Sequence, residues 1–378
     1  MVPIAIRNLL HERLRLVTAL AGVIFSVLLV TSLSGLYVAG ARNASGIVDH
    51  AAGDIWIVAH GTRTLELSEP ISRRYLYQAC SAPGVLWAEP LLVQFSQWRT
   101  SEGRQEIVQI VGVESNSKLG LPWAMAEGEP DCVRHDDGVI IDVSDRRRFG
   151  KNHQLLDIGD TAEILSTRAR VAGFSKGVRS FTTFPYVFTT HKRALENTAV
   201  EEGQTKALVI KAAPGVSLKA LQEQLRVRLP ELDVWTKQEF AKSCRNYWLF
   251  STGIGTEMIF SALLGLLVGC VILSQTIHAA TVSRLGEYGT LKAMGMENYQ
   301  IAGIIIKQAL LIGLVGYAGG GTLTFLLSLR LSEWNLSVDL PFWLIGTMLL
   351  ITLVTCTVAS ITSVTKVFRL APATVFRG

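Results

Sequence analysis

The chain has 378 residues, 49% of them hydrophobic and 18% charged, and its mean hydropathy is positive. That balance fits a membrane protein with a sizeable soluble part, since a fully embedded chain would carry fewer charges. The net charge of +5 does not point to nucleic acid, because the basic residues at the chain ends flank apolar runs, where retention on the cytoplasmic side is the simpler cause. Five cysteines, Cys80, Cys132, Cys244, Cys270 and Cys356, form no CxxC and no metal-ligand spacing, which argues against zinc and thiol redox chemistry.

Residues 1–15 read as a cytoplasmic N-terminal segment, with Arg7, Arg13 and Arg15 just before the first apolar run. From Leu16 to Gly40 the chain carries only apolar, hydroxyl and small residues, about the 20 that a helix needs to cross a bilayer, and a first transmembrane helix is assigned to 16–41. Ala39-Gly40-Ala41 also resembles a signal-peptide cleavage site, but the apolar run exceeds the usual roughly 7 to 15 residues, so a retained anchor is expected.

Residues 42–250 are expected to form a mixed α/β extracytoplasmic domain between the first and second helices. Asp54 to His60 alternates like a half-buried strand, and Ile71 to Cys80 reads as a helix bringing Tyr75 and Leu76 to a core. Further strands are expected at Val85 to Glu89, Leu92 to Arg99, Glu106 to Val113, Gly138 to Asp142 and Ala162 to Leu165. Ala207 to Lys211 is a strand, Pro214-Gly215 a turn, and Ser217 an N-cap for a helix with Leu218, Leu221 and Leu225 inward, before a strand from Leu232 to Trp235. A helix from Gln238 to Phe250 is expected to run straight into the second span and so couple the domain to it.

Residues 251–378 hold three more apolar segments, at about 253–280, 301–329 and 342–364. Arg284 and Lys292 follow the second span and Lys366, Arg369 and Arg377 the fourth, while the short link from Arg330 to Pro341 carries Glu333 and Asp339. Both termini and the link after the second span are therefore expected in the cytoplasm. Glu257, Lys307 and His278 with Gln275 lie near span ends and read as interfacial anchors and caps, and the spans otherwise lack the ionisable groups of an ion pathway. Gly265 and Gly269 make a GxxxG, and Gly313, Gly316, Gly319, Gly320 and Gly321 give the third span a smooth strip, so close helix packing is expected, within one protomer or across a dimer.

Between the second and third spans lies a polar island, SRLGEYGTLKAMGMENYQIA, from Ser283 to Ala302. Arg284 and Glu287 can pair three apart on a helical face, Leu285, Tyr288 and Leu291 form a stripe, and Gly295 offers the stop. A short helix over 283–296 with an exposed Tyr and Leu fits a groove on a soluble partner, the plainer reading being an interfacial helix that orients its neighbours.

Catalytic motifs are absent from the sequence. His11-Glu12 lacks the second His of HExxH, and there is neither a GxSxG elbow nor a Walker A motif. His135-Asp136-Asp137 reads as a solvated loop rather than a metal or acid/base site, and Arg146-Arg147-Arg148 as an exposed helix face or, alternatively, a contact for anionic lipid or a partner. Cys80, Cys132 and Cys244 in the extracytoplasmic part allow at most one disulfide.

The layout resembles the MacB and FtsX type of ABC transporter permease, whose island pattern is matched by Arg284, Glu287-Tyr288-Gly289, Leu291 and Gly295. Within it the chain is similar to the DevC family, permeases of exporters that include the one for heterocyst glycolipids. EYGTLKAMGM (Glu287 to Met296), RRYLYQ (Arg73 to Gln78), FSQW (Phe95 to Trp98), VAGFSKG (Val171 to Gly177) and APATVF (Ala371 to Phe376) carry that likeness. The glycine-rich third span departs from the pattern. The resemblance implies a homodimer in a bacterial inner membrane with its large domain in the periplasm, and a cytoplasmic ABC ATPase dimer that binds ATP and Mg, this chain holding no cofactor. The island becomes the ATPase-coupling helix, with Arg284, Leu285, Glu287, Tyr288, Leu291, Lys292, Met294 and Gly295 as its residues. Force is then passed to a periplasmic membrane-fusion adaptor and a TolC-like outer-membrane protein for export of a lipid, glycolipid or other periplasmic substrate. An FtsX-like regulator of a cell-wall enzyme is the alternative, and a membrane-anchored hydrolase a third.

Overall fold

The structure, a computed structural model, describes residues 13–100, 102–134, 137–150, 154–165, 167–332 and 336–368. The chain divides into two units, Met1–Ala39 with Thr256–Gly378, and Gly40–Gly255. Helix α1 (Arg13–Asn43) begins in the first unit and ends in the second. His11, Glu12, His135, Asp136, Glu333 and the APATVF tail lie outside the described residues.

In the Gly40–Gly255 unit a short helix, α2 (Gly46–His50), leads into β1 (Ile55–Ala59). The stretch read as a helix over 71–80 divides in two. Ile71–Ser72 is a strand, β2, and the helix α3 begins only at Arg74 and runs to Cys80, with Tyr75 and Leu76 packed on the core as the pattern required. Val85 to Arg99 is one strand, β3, where the sequence reads as two. Residues 85–91 pair with β11 (Ala207–Ala212) and residues 92–99 with β4 (Gln105–Val113). Around Pro90 the strand is bonded on one side only, so a missing N–H is tolerated.

The chain continues through β5 (Met125–Glu127), β6 (Gly138–Asp142), α4 (Arg146–Phe149), β7 (Thr161–Ile164), β8 (Thr167–Ser175), β9 (Tyr186–Thr190), α5 (His191–Glu196) and β10 (Gln204–Thr205). After β11 come α6 (Leu218–Arg228), β12 (Leu232–Thr236) and α7 (Lys237–Asn246). The main sheet runs β12-β1-β11-β3-β4-β9-β6-β8-β5, with β7 against β3 and β8, and β10 pairs β2 in a separate ribbon. Strand β1 is buried on both faces. Ile55 and Ile57 meet Leu221 and Leu225 of α6, while Trp56 and Val58 meet Phe240 and Cys244 of α7. A second core, with Trp98, Val108, Ile110, Phe174 and Val187, fills the other half under Ala194 of α5.

Three local expectations are corrected here. Ser217 takes the N-cap position of α6 as expected, without a side-chain cap bond, but Leu218 points outward, leaving Leu221 and Leu225 as the buried pair. Of the three arginines of α4, Arg146 bonds Glu127 and Asp157 and lies over the Phe174 ring, and Arg148 bonds Glu106. Only Arg147 is left exposed, so the run is structural and not a basic patch. The helix expected over Gln238 to Phe250 does not run into the second span: α7 ends at Asn246, a π-helical turn follows over Tyr247–Ser251, and Gly253 adopts φ +81°. All five cysteines are free thiols.

In the other unit α8 (Ile254–Ser283), α10 (Asn298–Ser332) and α11 (Phe342–Phe368), together with α1, are the four helices long and apolar enough to cross a membrane among the described residues. The short α9 (Leu285–Ala293) joins α8 to α10. Glycines set the packing distances. A Cβ on Gly316 would stand 2.5 Å from Val23 Cγ1, one on Gly320 2.7 Å from Val27 Cβ, one on Gly313 2.7 Å from the Cys356 sulfur and one on Gly265 3.3 Å from Leu29 Cβ, while Gly269 faces Ser26. Gly319 meets Ile24, but Gly321 has nothing within 4 Å, so the smooth strip is narrower than the five glycines imply.

Candidate functional site

Helix α9 is built with two unlike faces. Arg284 occupies its N-cap position at φ −111°, after a tight turn closed by Arg284 N–H donating to Thr281 O (3.2 Å). Glu287 lies in the first turn and Lys292 in the last, each at the end of the helix dipole that suits its charge. At the other end Gly295 takes φ +93°, its N–H donating to Lys292 O and that of Met296 to Leu291 O, both at 3.0 Å. This is a Schellman closure, which a glycine makes without a Cβ clash.

Inward, Arg284 and Tyr288 are only 9% and 3% exposed. Tyr288 sits among Ala19, Ile277, Ile301, Ile305 and Ile312, with Leu291 and Met296 packed on the same cluster. Burial holds the Tyr288 phenol above its ordinary value, and the Arg284 charge partly offsets this. The expectation of an exposed Tyr and Leu is therefore corrected: the stripe Leu285, Tyr288, Leu291 anchors α9 to its own bundle, Leu285 and Lys292 half-buried at its margins. A helix this short holds its place in water only through such tertiary contacts.

Outward, Glu287, Thr290 and Met294 form the i, i+3, i+7 row, Met294 being 75% exposed, and Tyr299 of α10 is 66% exposed. Thr290 and Tyr299 were missed as candidates. The signal was present, since the row opposite a buried stripe is fixed once that stripe is assigned inward, but an aromatic beside a charged pair reads equally well as an anchor or as a docking residue.

A second feature ties together the two ends of the Gly40–Gly255 unit. Arg245 of α7 donates to Ser45 Oγ (2.7 Å) and Asp49 Oδ2 (3.1 Å), so the segment just after α1 is clamped to the one that precedes α8. Helix α7 starts in a full capping box, Thr236 with Glu239. Trp248, in the π-helical turn, packs tilted against Phe181 and donates from Nε1 to Thr64 Oγ1 (3.0 Å) and Glu66 Oε2 (3.3 Å). Glu66 is 5% exposed, and burial raises its pKa against the opposing bonds from Thr64, Trp248 and Tyr186. Beside it the Cys244 thiol is pushed up to about 12, by burial first and then by Glu66. His191, buried below β4, falls to about 4 through burial and the nearby Arg73 charge.

No group of three or more His, Cys, Asp or Glu that could hold a metal occurs among the described residues. Asp137 bonds Arg170 (3.1 Å) as a structural pair. The arrangement leaves Glu287, Thr290, Met294 and Tyr299 exposed beside a buried row.

Residues 16–228, more than half of the chain, match the MacB-like periplasmic core domain, and residues 259–372 match the FtsX-like permease C-terminal region. The chain is 24% identical over 381 residues to an uncharacterized ABC transporter permease of Mycobacterium tuberculosis, covering 99% of each. It is 26% identical over 193 residues to another from Methanocaldococcus jannaschii, covering 48% of this chain and 47% of that one. Among solved structures, the periplasmic region of MacB from Actinobacillus actinomycetemcomitans is similar with a TM-score of 0.39 and 11% identity, over 52% of this chain and 94% of that one. The extracellular domain of the transporter YknZ from Gram-positive bacteria is similar with a TM-score of 0.36 and 8% identity, over 48% of this chain and 98% of that one. With both halves matched in order along one chain, this protein belongs to the MacB/FtsX type of ABC transporter permease, a multi-pass membrane subunit with an extracytoplasmic MacB-like domain that works with a partner ATPase.

Proposed function

We propose that this chain is the force-transmitting permease of an export complex, in which nucleotide-driven closure of the ATPase is received by α9 and relayed to the extracytoplasmic domain. The observation that carries this reading is the two-faced build of α9, whose inner row is locked into the helix bundle while Glu287, Thr290 and Met294 face out. A rigidly mounted helix with an exposed polar and methionine face suits a groove on a soluble partner. The Arg245 clamp supports the relay, because a displacement delivered to either end of the domain is shared with the other.

In this reading the chain lies in a bacterial inner membrane with both termini cytoplasmic and its domain in the periplasm. It pairs with a second copy over an ATPase dimer that binds ATP and Mg. A membrane-fusion adaptor and a TolC-like outer-membrane protein complete the path, and a lipid or glycolipid cargo of the DevC type is the working substrate class. The test is the double variant Glu287→Lys, Met294→Asp in the purified complex with its ATPase. Stimulated ATP hydrolysis should fall at least about tenfold, the loss expected from about 1.4 kcal/mol of docking energy, while the melting temperature of the permease stays unchanged. Undiminished stimulation would contradict the proposal.

A further inference from the structure

Three spans, α1 over residues 30–38, α8 over 258–266 and α11 over 343–351, wall an apolar groove of about 280 Å³. All three stretches belong to the extracytoplasmic half of their spans, since α1 runs into the Gly40–Gly255 unit, α8 leaves it, and α11 starts on that side once α10 has crossed. Each stretch covers eight helical rises, so the groove is about 12 Å deep. Trp343, 61% exposed, stands at its mouth, and Leu266 and Met348 stand at its inner end. Ser34 and Tyr37, three residues apart on α1, line the outer part. Neither hydroxyl has a hydrogen-bond partner among the described residues, whereas Thr347, Thr352 and Thr355 of α11 each donate to the carbonyl four residues back.

We infer that this groove holds one acyl chain of a glycerophospholipid from the outer leaflet of the surrounding bilayer, with its ester group at Ser34 and Tyr37 and its chain end between Leu266 and Met348. Size excludes a helix of a second copy: a helix is about 10–12 Å across, so over the same depth it would displace roughly 1,000 Å³. A single hydrocarbon chain fits, and it touches protein on three sides where a chain against one convex span touches it on one, which adds dispersion contacts. The rim sets the direction. Tyr and Trp suit the headgroup level of a membrane, and the two free hydroxyls can donate to ester carbonyls, which at the inner end would find only apolar side chains. With the chain in place α8 cannot close onto α11 at this end. Occupancy is independent of whether α9 docks an ATPase, and it is read without nucleotide, so the two proposals can fail separately.

The test uses the full-length chain in phosphatidylcholine nanodiscs doped with phosphatidylcholine that carries a photoreactive diazirine either near the ester or near the end of one acyl chain. After irradiation, peptide mass spectrometry locates the adducts. The lipid-facing residues Leu323, Phe325 and Leu326 of α10, 45%, 56% and 52% exposed, serve as the internal control. Groove residues should be labelled about fivefold more than these, the ratio that one net hydrogen bond to a rim hydroxyl supplies. The probe near the ester should mark Ser34, Tyr37 and Trp343, and the probe near the chain end Leu266 and Met348. Ala262→Phe, which fills the groove from its α8 wall, should bring groove labelling down to the α10 level and leave α10 unchanged. Labelling of the groove at or below the α10 level in the wild type overturns the inference, the lower value meaning that side chains of a second copy cover the groove. The reverse order of the two probes, or undiminished labelling in Ala262→Phe, overturns it as well.

Discussion

Glu66 shows how a single side chain reports on the stability of the extracytoplasmic domain. Burial raises its pKa above the usual 4.5, so the folded chain binds its proton more firmly than the unfolded chain does. The sign follows by linkage: no stability is lost below the ordinary carboxyl range, and stability falls as pH rises from there through the raised folded value. Glu66→Gln keeps the bonding shape and cannot ionise. Its melting temperature in detergent should exceed that of the wild type near neutral pH, and the gain should vanish below 4.5. A lower melting temperature at neutral pH would mean that the bonds from Thr64 and Trp248 favour the carboxylate. Tyr288 marks the limit of legibility at this scale. Its place on a helical stripe could be read from the sequence, but whether that stripe faces a partner or its own bundle depends on where α1 and α10 lie, and spacing does not encode that.

At the scale of elements, helices packed through glycine should respond sharply and unequally to added bulk. Gly316→Val would drive a side chain into Val23 of α1 and is expected to cost about 1–3 kcal/mol, as overpacking does. Gly321→Ala, in the same helix with nothing within 4 Å of its Cβ, should be neutral or stabilise by up to about 1 kcal/mol through helix propensity. Equal effects of the two in thermal unfolding would show that the helices are not seated as described. The spans were legible because an apolar run of this length has few other fates, and β1, β4, β6 and β12 because each is a short run with β-branched residues set off by turn residues. Strands β8 and β9 were not recognised. Thr167 to Ser175 alternates polar and apolar through two arginines, and Tyr186 to Thr190 is buried throughout, so its facing partners rather than its own period define it. The break at Gly253 was hidden for the opposite reason, since a π-helical turn and a helix share the same residue preferences.

For the whole molecule, the order of parts along the chain said more than any single motif. One span, a large insert, and three spans with a polar island after the second together pointed to the family, and the matches at 16–228 and 259–372 agree. What the order could not supply was the inward and outward assignment of α9 and the clamp from Arg245 to Asp49, each of which joins residues far apart in sequence. The account depends on α9 and the large domain lying on opposite sides of the membrane. Thr290 is exposed on α9 and Cys80 is an exposed native thiol on the domain, which allows both sides to be read in one chain. In right-side-out membrane vesicles treated with an impermeant maleimide, the Thr290→Cys variant should label no more than the wild type, whose exposed Cys80 marks the outer face, and the thiol introduced at position 290 should react only after permeabilisation. If position 290 is labelled in sealed vesicles as readily as Cys80, α9 stands on the wrong side to meet an ATPase, and force transmission through it is contradicted.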